Sequence, residues 1–160
     1  MGHIGRRTAF HFMTPQGTAV YSGEYRHALD DKNRLTIPSP WRSMHADGSE
    51  FLAVPRDGAI VVLSPSKVAH IVAKADTVPI SNTKVQDALK RFFSSANKFS
   101  FDKQGRMTVT DAHRQYANIG ADAVLVAAGT NFAIYNPDVW VKLKAAKAEE
   151  DDQALADFGI

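Results

Sequence analysis

Apolar and polar residues alternate in the same way at two places in this chain. In "LDDKNRLTIP", Leu29 to Pro38, Leu35 and Ile37 alternate with Arg34 and Thr36. In "FDKQGRMTVT", Phe101 to Thr110, Met107 and Val109 alternate with Arg106 and Thr108. A period of two predicts a strand whose apolar pair faces inward and whose Arg and Thr face outward. Each strand leaves a polar turn that opens with Asp and ends with Arg.

The two turns lie 72 positions apart, and that offset holds without a gap far beyond them. Arg42 meets Arg114, Gly48 meets Gly120, Val54 meets Val126 and Pro65 meets Pro137. Leu52/Val124, Ile60/Phe132, Val62/Ile134 and Ile71/Leu143 are conservative pairs in the same register. One short motif matching by chance does not keep register over such a span, so the chain is an internal duplication.

Each unit repeats one plan: a short strand, the charged turn, a second strand, and a short helical or irregular piece ("SPWRSMHA", "DAHRQYAN"). Two more apolar strands follow ("FLAVP" and "AIVVL"; "AVLVAA" and "FAIY"), joined by turns at "RDG" and "GT". A helix closes each unit. Ser64 with Pro65, and Asn136 with Pro137, supply a capping residue and a proline at the first helical position. Val68, Ile71, Val72 and Ala75 line one helix, and Val139, Trp140, Leu143 and Ala146 the other; both stripes read as core. Between the units, "TKVQDALKRFF" reads as a connecting helix with Val85, Ala88, Leu89 and Phe92 on one side.

The resulting division is an N-terminal arm over residues 1–20, a first unit over 21–76, a linker helix over 77–97, a second unit over 98–147 and a fraying acidic tail over 148–160. Met13 is an alternative start within the arm. One unit alone has too few elements to cover two sheet faces, whereas two packed together can close a small barrel with few free edges. The expected fold is therefore α+β, mainly β: a pseudo-twofold β-barrel with flanking helices.

Composition narrows the chemistry. There is no Cys, which removes disulfides, thiolate metal sites and thiol nucleophiles. No apolar run approaches the roughly 20 residues that span a bilayer, and the N-terminus lacks the apolar core of a signal peptide. The six His residues have no metal-ligand spacing, and there is no phosphate-binding loop, nucleophile elbow or dinucleotide fingerprint. His113, near Asp111, reads as a surface or capping residue. The expectation is a protein without cofactor or metal that is not an enzyme. Formal charge is +2, but from Ala145 to Ile160 Lys147 stands alone against Glu149, Glu150, Asp151, Asp152 and Asp157. The tail carries −4 and the body +6, a balance that permits a polyanionic partner.

The charged turn needs one residue at positive φ. Gly105 supplies it freely, and Asn33 is among the few other residues that tolerate it. Asp30 and Asp102 can accept from turn N–H groups or pair with Arg34 and Arg106. Two readings follow: an ion pair that only fixes the hairpin, or a turn that presents its Arg. Arg26, Lys32 and Arg42 surround the first turn, and Lys98, Lys103 and Arg114 the second. Such a patch fits phosphate contacts, and an Arg within it can read guanine O6 and N7 in the major groove.

The paired turns, the preceding "YSGEYRHA" and the stretch "ALKRFFSSANKFSFDKQGR" resemble the MraZ family of bacterial transcriptional regulators over roughly Tyr21 to Ala146. The resemblance implies two AbrB/SpoVT-type units in a swapped-hairpin-like barrel. It also implies ring-shaped homo-oligomers, octamers or dodecamers, in the cytoplasm at the nucleoid. The implied target is double-stranded DNA with G-containing direct repeats upstream of the division and cell-wall gene cluster. Lys32, Arg34 and Arg106 are the implied contacts, with Lys103, Arg42 and Arg114 in the surrounding patch. Asn33 and Thr110 stand where the family often has Gly and Pro. The competing reading is a protein-binding AbrB-like module, an antitoxin or scaffold.

Overall fold

The computed structural model describes residues 18–146 and 148–160. The expected arm and the alternative start at Met13 therefore fall mostly outside the described residues, although Ala19 is buried in the core.

The strands are β1 (Glu24–Ala28), β2 (Arg34–Thr36), β3 (Phe51–Arg56), β4 (Ala59–Leu63), β5 (Asn97–Phe99), β6 (Arg106–Thr108), β7 (Asp122–Ala127) and β8 (Asn131–Tyr135). The helices are α1 (Ser39–Arg42), α2 (Pro65–Asp76), α3 (Thr83–Ser95), α4 (Asp111–Tyr116), α5 (Pro137–Ala146) and α6 (Ala148–Ala156). Six strands form one antiparallel sheet in the order β1-β7-β8-β4-β3-β5, and β2 pairs with β6 in a separate ribbon. This is the mainly-β α+β fold that the sequence predicts.

The order records an exchange. β1 leaves the first half to pair with β7, and β5 of the second half pairs with β3. Register follows the offset of 72: Tyr25↔Leu125 has its counterpart in Ala53↔Asn97, and His27↔Ala123 in Phe51↔Phe99. Ile60↔Ile134 and Val62↔Phe132 exchange in the same way, as do Arg34↔Thr108 and Thr36↔Arg106. Leu35↔Met107 pairs equivalent residues, so the pseudo-twofold axis passes between them.

Alternation explains the layers. Leu35, Ile37, Met107 and Val109 on the inner side of the ribbon join Phe51, Ala53, Ile60, Val62, Ala123, Leu125, Phe132 and Ile134 of the sheet in one buried cluster. Trp41 from α1 and Ala117 and Ile119 after α4 close its ends. Trp41 contacts Tyr21, Tyr25 and Phe132 at ring distances of 5.4, 5.3 and 4.9 Å.

The outer face of the sheet differs between halves. Leu52, Val54 and Leu63 are covered by Val68 and Ile71 of α2 and by Phe92 and Phe93 of α3. Among the described residues, the second half has no counterpart of α3, and Val139, Val141 and Leu143 of α5 are exposed at 40, 61 and 39%. The core stripes expected on the closing helices are thus only partly realised. Neither helix has a fully buried residue, and Val72 also faces solvent. The cause is that these helices lie outside the sheet, not between layers.

Two other expectations change, and one between them holds. Ser64 occupies the cap position of α2 but makes no cap hydrogen bond; its buried hydroxyl donates to the Thr130 carbonyl at 3.2 Å. Asn136 does cap α5, accepting from the Asp138 and Val139 N–H groups at 2.8 and 3.2 Å. The acidic tail is helical over Ala148–Ala156 and not frayed, because Glu149, Glu150 and Asp151 sit in a first turn where the helix dipole favours negative charge. Among the described residues, no helix is long and apolar enough to cross a membrane.

Candidate nucleic-acid interface

Both charged turns are built by the same hydrogen bonds. Asn33 N–H donates to the Asp30 carbonyl at 3.0 Å and Asp30 N–H to the Arg34 carbonyl at 3.0 Å. Gly105 N–H to Asp102 and Asp102 N–H to Arg106 repeat this at 2.9 Å each. Asn33 has φ 59° and Gly105 φ 75°, the left-handed residue that lets a tight turn return into its strand.

Each Asp then closes its turn. Asp30 Oδ1 accepts from Lys32 and Arg34 N–H at 2.9 and 2.8 Å, and its Oδ2 accepts from Arg34 Nε at 2.7 Å. Asp102 accepts from Gln104 N–H, Arg106 N–H and Arg106 Nε, each at 2.9 Å. The Asp30 carboxyl is held below its usual range, first by the Arg34 N–H and, against some desolvation, by the Arg34 guanidinium and Lys32 N–H. At Asp102 desolvation pushes upward, but the Arg106 N–H and guanidinium outweigh it, and the carboxyl is also lowered.

The ribbon joins the turns. Gly105 C=O accepts from Ile37 N–H and Asn33 C=O from Val109 N–H, both at 2.9 Å, so each turn is tied to the strand of the other half. Arg34 and Arg106 lie diagonally on the outer side of the ribbon with Thr36 and Thr108, while Leu35 and Met107 point inward. The arginine side chains are 28 and 24% exposed. They are half-sheltered by their carboxylates and not fully solvated.

The surrounding cations separate into two groups. Lys32 and Lys103 are exposed at the turn tips and form no ion pair among the described residues. Arg26 is bound to Asp122 at 2.9 Å and Lys98 to Glu50 at 3.4 Å, two bridges related by the pseudo-twofold. Arg114 is half-buried and bound to Asp111. Arg42 is half-buried, with its Nε out of solvent and unbonded.

Two further residues matter here. Gln104, which faces Lys32 at the offset of 72, accepts from Arg106 Nη2 at 3.1 Å. The sequence signal was the one turn position where a cation is replaced by a neutral hydrogen-bonding side chain. His113, expected as a surface or capping residue, is buried and not at the surface, and its Nε2 lies 2.8 Å from the Ser95 carbonyl at the end of α3. That contact ties the linker helix to the second unit, and it arises because offset 72 puts His113 where the first half has Trp41. Among the described residues, no group of three or more His, Asp or Glu side chains could hold a metal ion.

Comparison of the sequence with known proteins identifies relatives of the chain. A family model described as "MraZ protein, putative antitoxin-like" matches residues 92–158. A "Transcriptional regulator MraZ" from Clostridium acetobutylicum is 32% identical over 143 residues, covering 88% of this chain and 100% of the relative. Proteins of the same name from Paenarthrobacter aurescens and Heliobacterium modesticaldum are each 32% identical, over 143 and 145 residues, covering 87 and 88% of this chain and 99 and 100% of theirs.

Proposed function

The chain belongs to the MraZ family, and on that premise we propose that it is a sequence-specific DNA-binding regulator of transcription. The observation that carries this reading is the ribbon: it sets two Asp-braced arginine turns side by side on one outer face. A two-stranded ribbon has the width to enter the major groove, where an arginine fork matches guanine O6 and N7. Lys32 and Lys103 at the turn tips suit phosphate contacts, which fix register without reading sequence.

The proposed operator is a set of G-containing direct repeats in the protein's own promoter, upstream of the division and cell-wall gene cluster. The proposed form is a ring-shaped homo-oligomer, octamer or dodecamer, acting in the cytoplasm at the nucleoid. The exposed apolar residues of α5 support self-association, and a ring engaging several repeats at once gains effective concentration over a single turn. Action is by binding, without cofactor or catalysis. The antitoxin-like description of the matching family favours a second reading, a protein-binding module.

The test is binding of Arg34→Ala and Arg106→Ala to DNA from upstream of the protein's own gene. Both variants should lose affinity by about tenfold or more, the worth of a bidentate base contact. Near-wild-type affinity in folded variants would overturn the reading and favour the protein-binding module.

A further inference from the structure

Arg42 ends α1 in the first half, yet it lies against the turn of the second. A Cβ placed on Gly105 would stand 2.2 Å from both Cδ and Nη1 of Arg42 and 2.6 Å from its Cζ. A side chain there would force the Arg42 side chain to move. Gly105 is buried, and Arg42 Nε is shut away from water without a hydrogen-bond partner. The half-buried Arg42 side chain thus lies over Gly105, with its Nε turned away from solvent.

The neighbours continue the contact. Arg42, His45, Gly48 and Phe51 of the first half and Phe101, Asp102 and Lys103 of the second wall one small cavity of about 120 Å³. Ser100 Oγ also donates to the Gly48 carbonyl at 3.4 Å. Gly105 itself is bonded on both sides, its N–H to Asp102 and its C=O to Ile37. Asp102 in turn holds Arg106. In the first turn the equivalent residue is Asn33, which carries a side chain, and the equivalent arginine, Arg114, is bound to Asp111.

We infer that Arg42 is a positioning residue: it braces the second turn from the opposite half, sets the place of Arg106 and, while it stays in place, leaves room only for glycine at position 105. Its consequence for DNA rests on the function proposed above; its geometry does not. Glycine at 105 is thus favoured by the room Arg42 takes up and not by φ alone, since Asn33 shows that asparagine accepts a similar backbone at φ 59°.

The experiment is a cycle of Gly105→Asn, Arg42→Ala and the double variant, read by thermal melting and by affinity for promoter DNA, with Arg42→Met measured across a salt series. Gly105→Asn should melt lower than wild type and bind about tenfold more weakly, comparable to losing one base contact. Adding Arg42→Ala should bring both readouts back to the level of Arg42→Ala alone, a coupling expected of residues in contact. Arg42→Met should leave the salt slope unchanged. Additive losses in melting, or a Gly105→Asn variant that melts like wild type, would overturn the inference. So would a slope reduced by about 1 in Arg42→Met, the mark of a lost phosphate contact. If wild type bound no DNA, the proposed function would fall, while the melting cycle would still decide the contact.

Discussion

The Asp30 carboxylate lies 2.7 Å from Arg34 of its own turn and 3.7 Å from Arg106 of the other. One acid of the first half therefore faces both arginines. Asp102 is paired with Arg106 alone. Asp30→Asn should lower the melting temperature more than Asp102→Asn, because it loosens two arginines. Equal losses in thermal melts of the two variants would show that the longer contact contributes nothing.

Acid should abolish that difference. Both carboxyls are held below their usual range in the fold, and unfolded Asp titrates near ~3.9. A lowered folded pKa stabilises fully above the unfolded value and is lost as pH falls through the folded one. The gap in melting temperature between wild type and Asp30→Asn should hold from neutral pH down to about 5 and shrink below about 4. Melts at pH 7 and pH 3 check this, and an undiminished gap at the lower pH would contradict it.

The axis pair Leu35 and Met107 is almost wholly buried, at 0 and 2%. Truncating either to Ala should cost about 2–5 kcal/mol through lost burial and an unfilled cavity. Because the two face each other across the ribbon, the double variant should cost less than the sum. Urea unfolding of the four proteins measures the coupling.

Ser64 and Asn136 stand at equivalent helix starts but do different work. Ser64→Ala removes the bond to the Thr130 carbonyl and a long one, 3.4 Å, with Ser66 Oγ, and should cost about 1 kcal/mol. Asn136→Ala removes two cap bonds and a third in which Nδ2 donates to the Asn118 carbonyl at 2.7 Å, so it should cost more, up to about 2 kcal/mol. Denaturant midpoints that rank the other way would refute this assignment.

Two of the four outlying cations are paired with acids and, among the described residues, two are not, and they should differ in binding. Lys32→Ala and Lys103→Ala should weaken DNA binding across all sequences and reduce the salt slope by about 1 each. Arg26→Ala and Lys98→Ala should leave the slope unchanged, since their charges are committed to Asp122 and Glu50. Affinity titrations at several salt concentrations separate the two pairs.

The strands and the duplication were legible because period two and a gap-free offset are properties of the chain alone. Which strand meets which was not. Alternation in "EYRHA" and "NKF" tells which residues share a face, but not that β1 crosses to β7 and β5 to β3. The fate of the cations depended on that exchange. Arg26 and Lys98 look like part of a basic patch until cross-half pairing puts Asp122 and Glu50 beside them. A hint was present in the same offset: a cation faces a cation, and an acid faces an acid, 72 positions on. The helix stripes misled for another reason. Helical periodicity identifies an apolar side but not what covers it, and among the described residues only the first half has α3 to do so.

The crossing of β1 and β5 also bears on how such a chain can be assembled. Made alone, a single unit would lack the strand that completes its sheet and would present a bare edge to any other copy. It could reach this architecture only by meeting a second chain, at a yield set by dilution. With α3 joining the units, the same encounter becomes intramolecular, and the linker supplies the local concentration. Correct seating of the two arginine turns then no longer depends on how many molecules the cell makes.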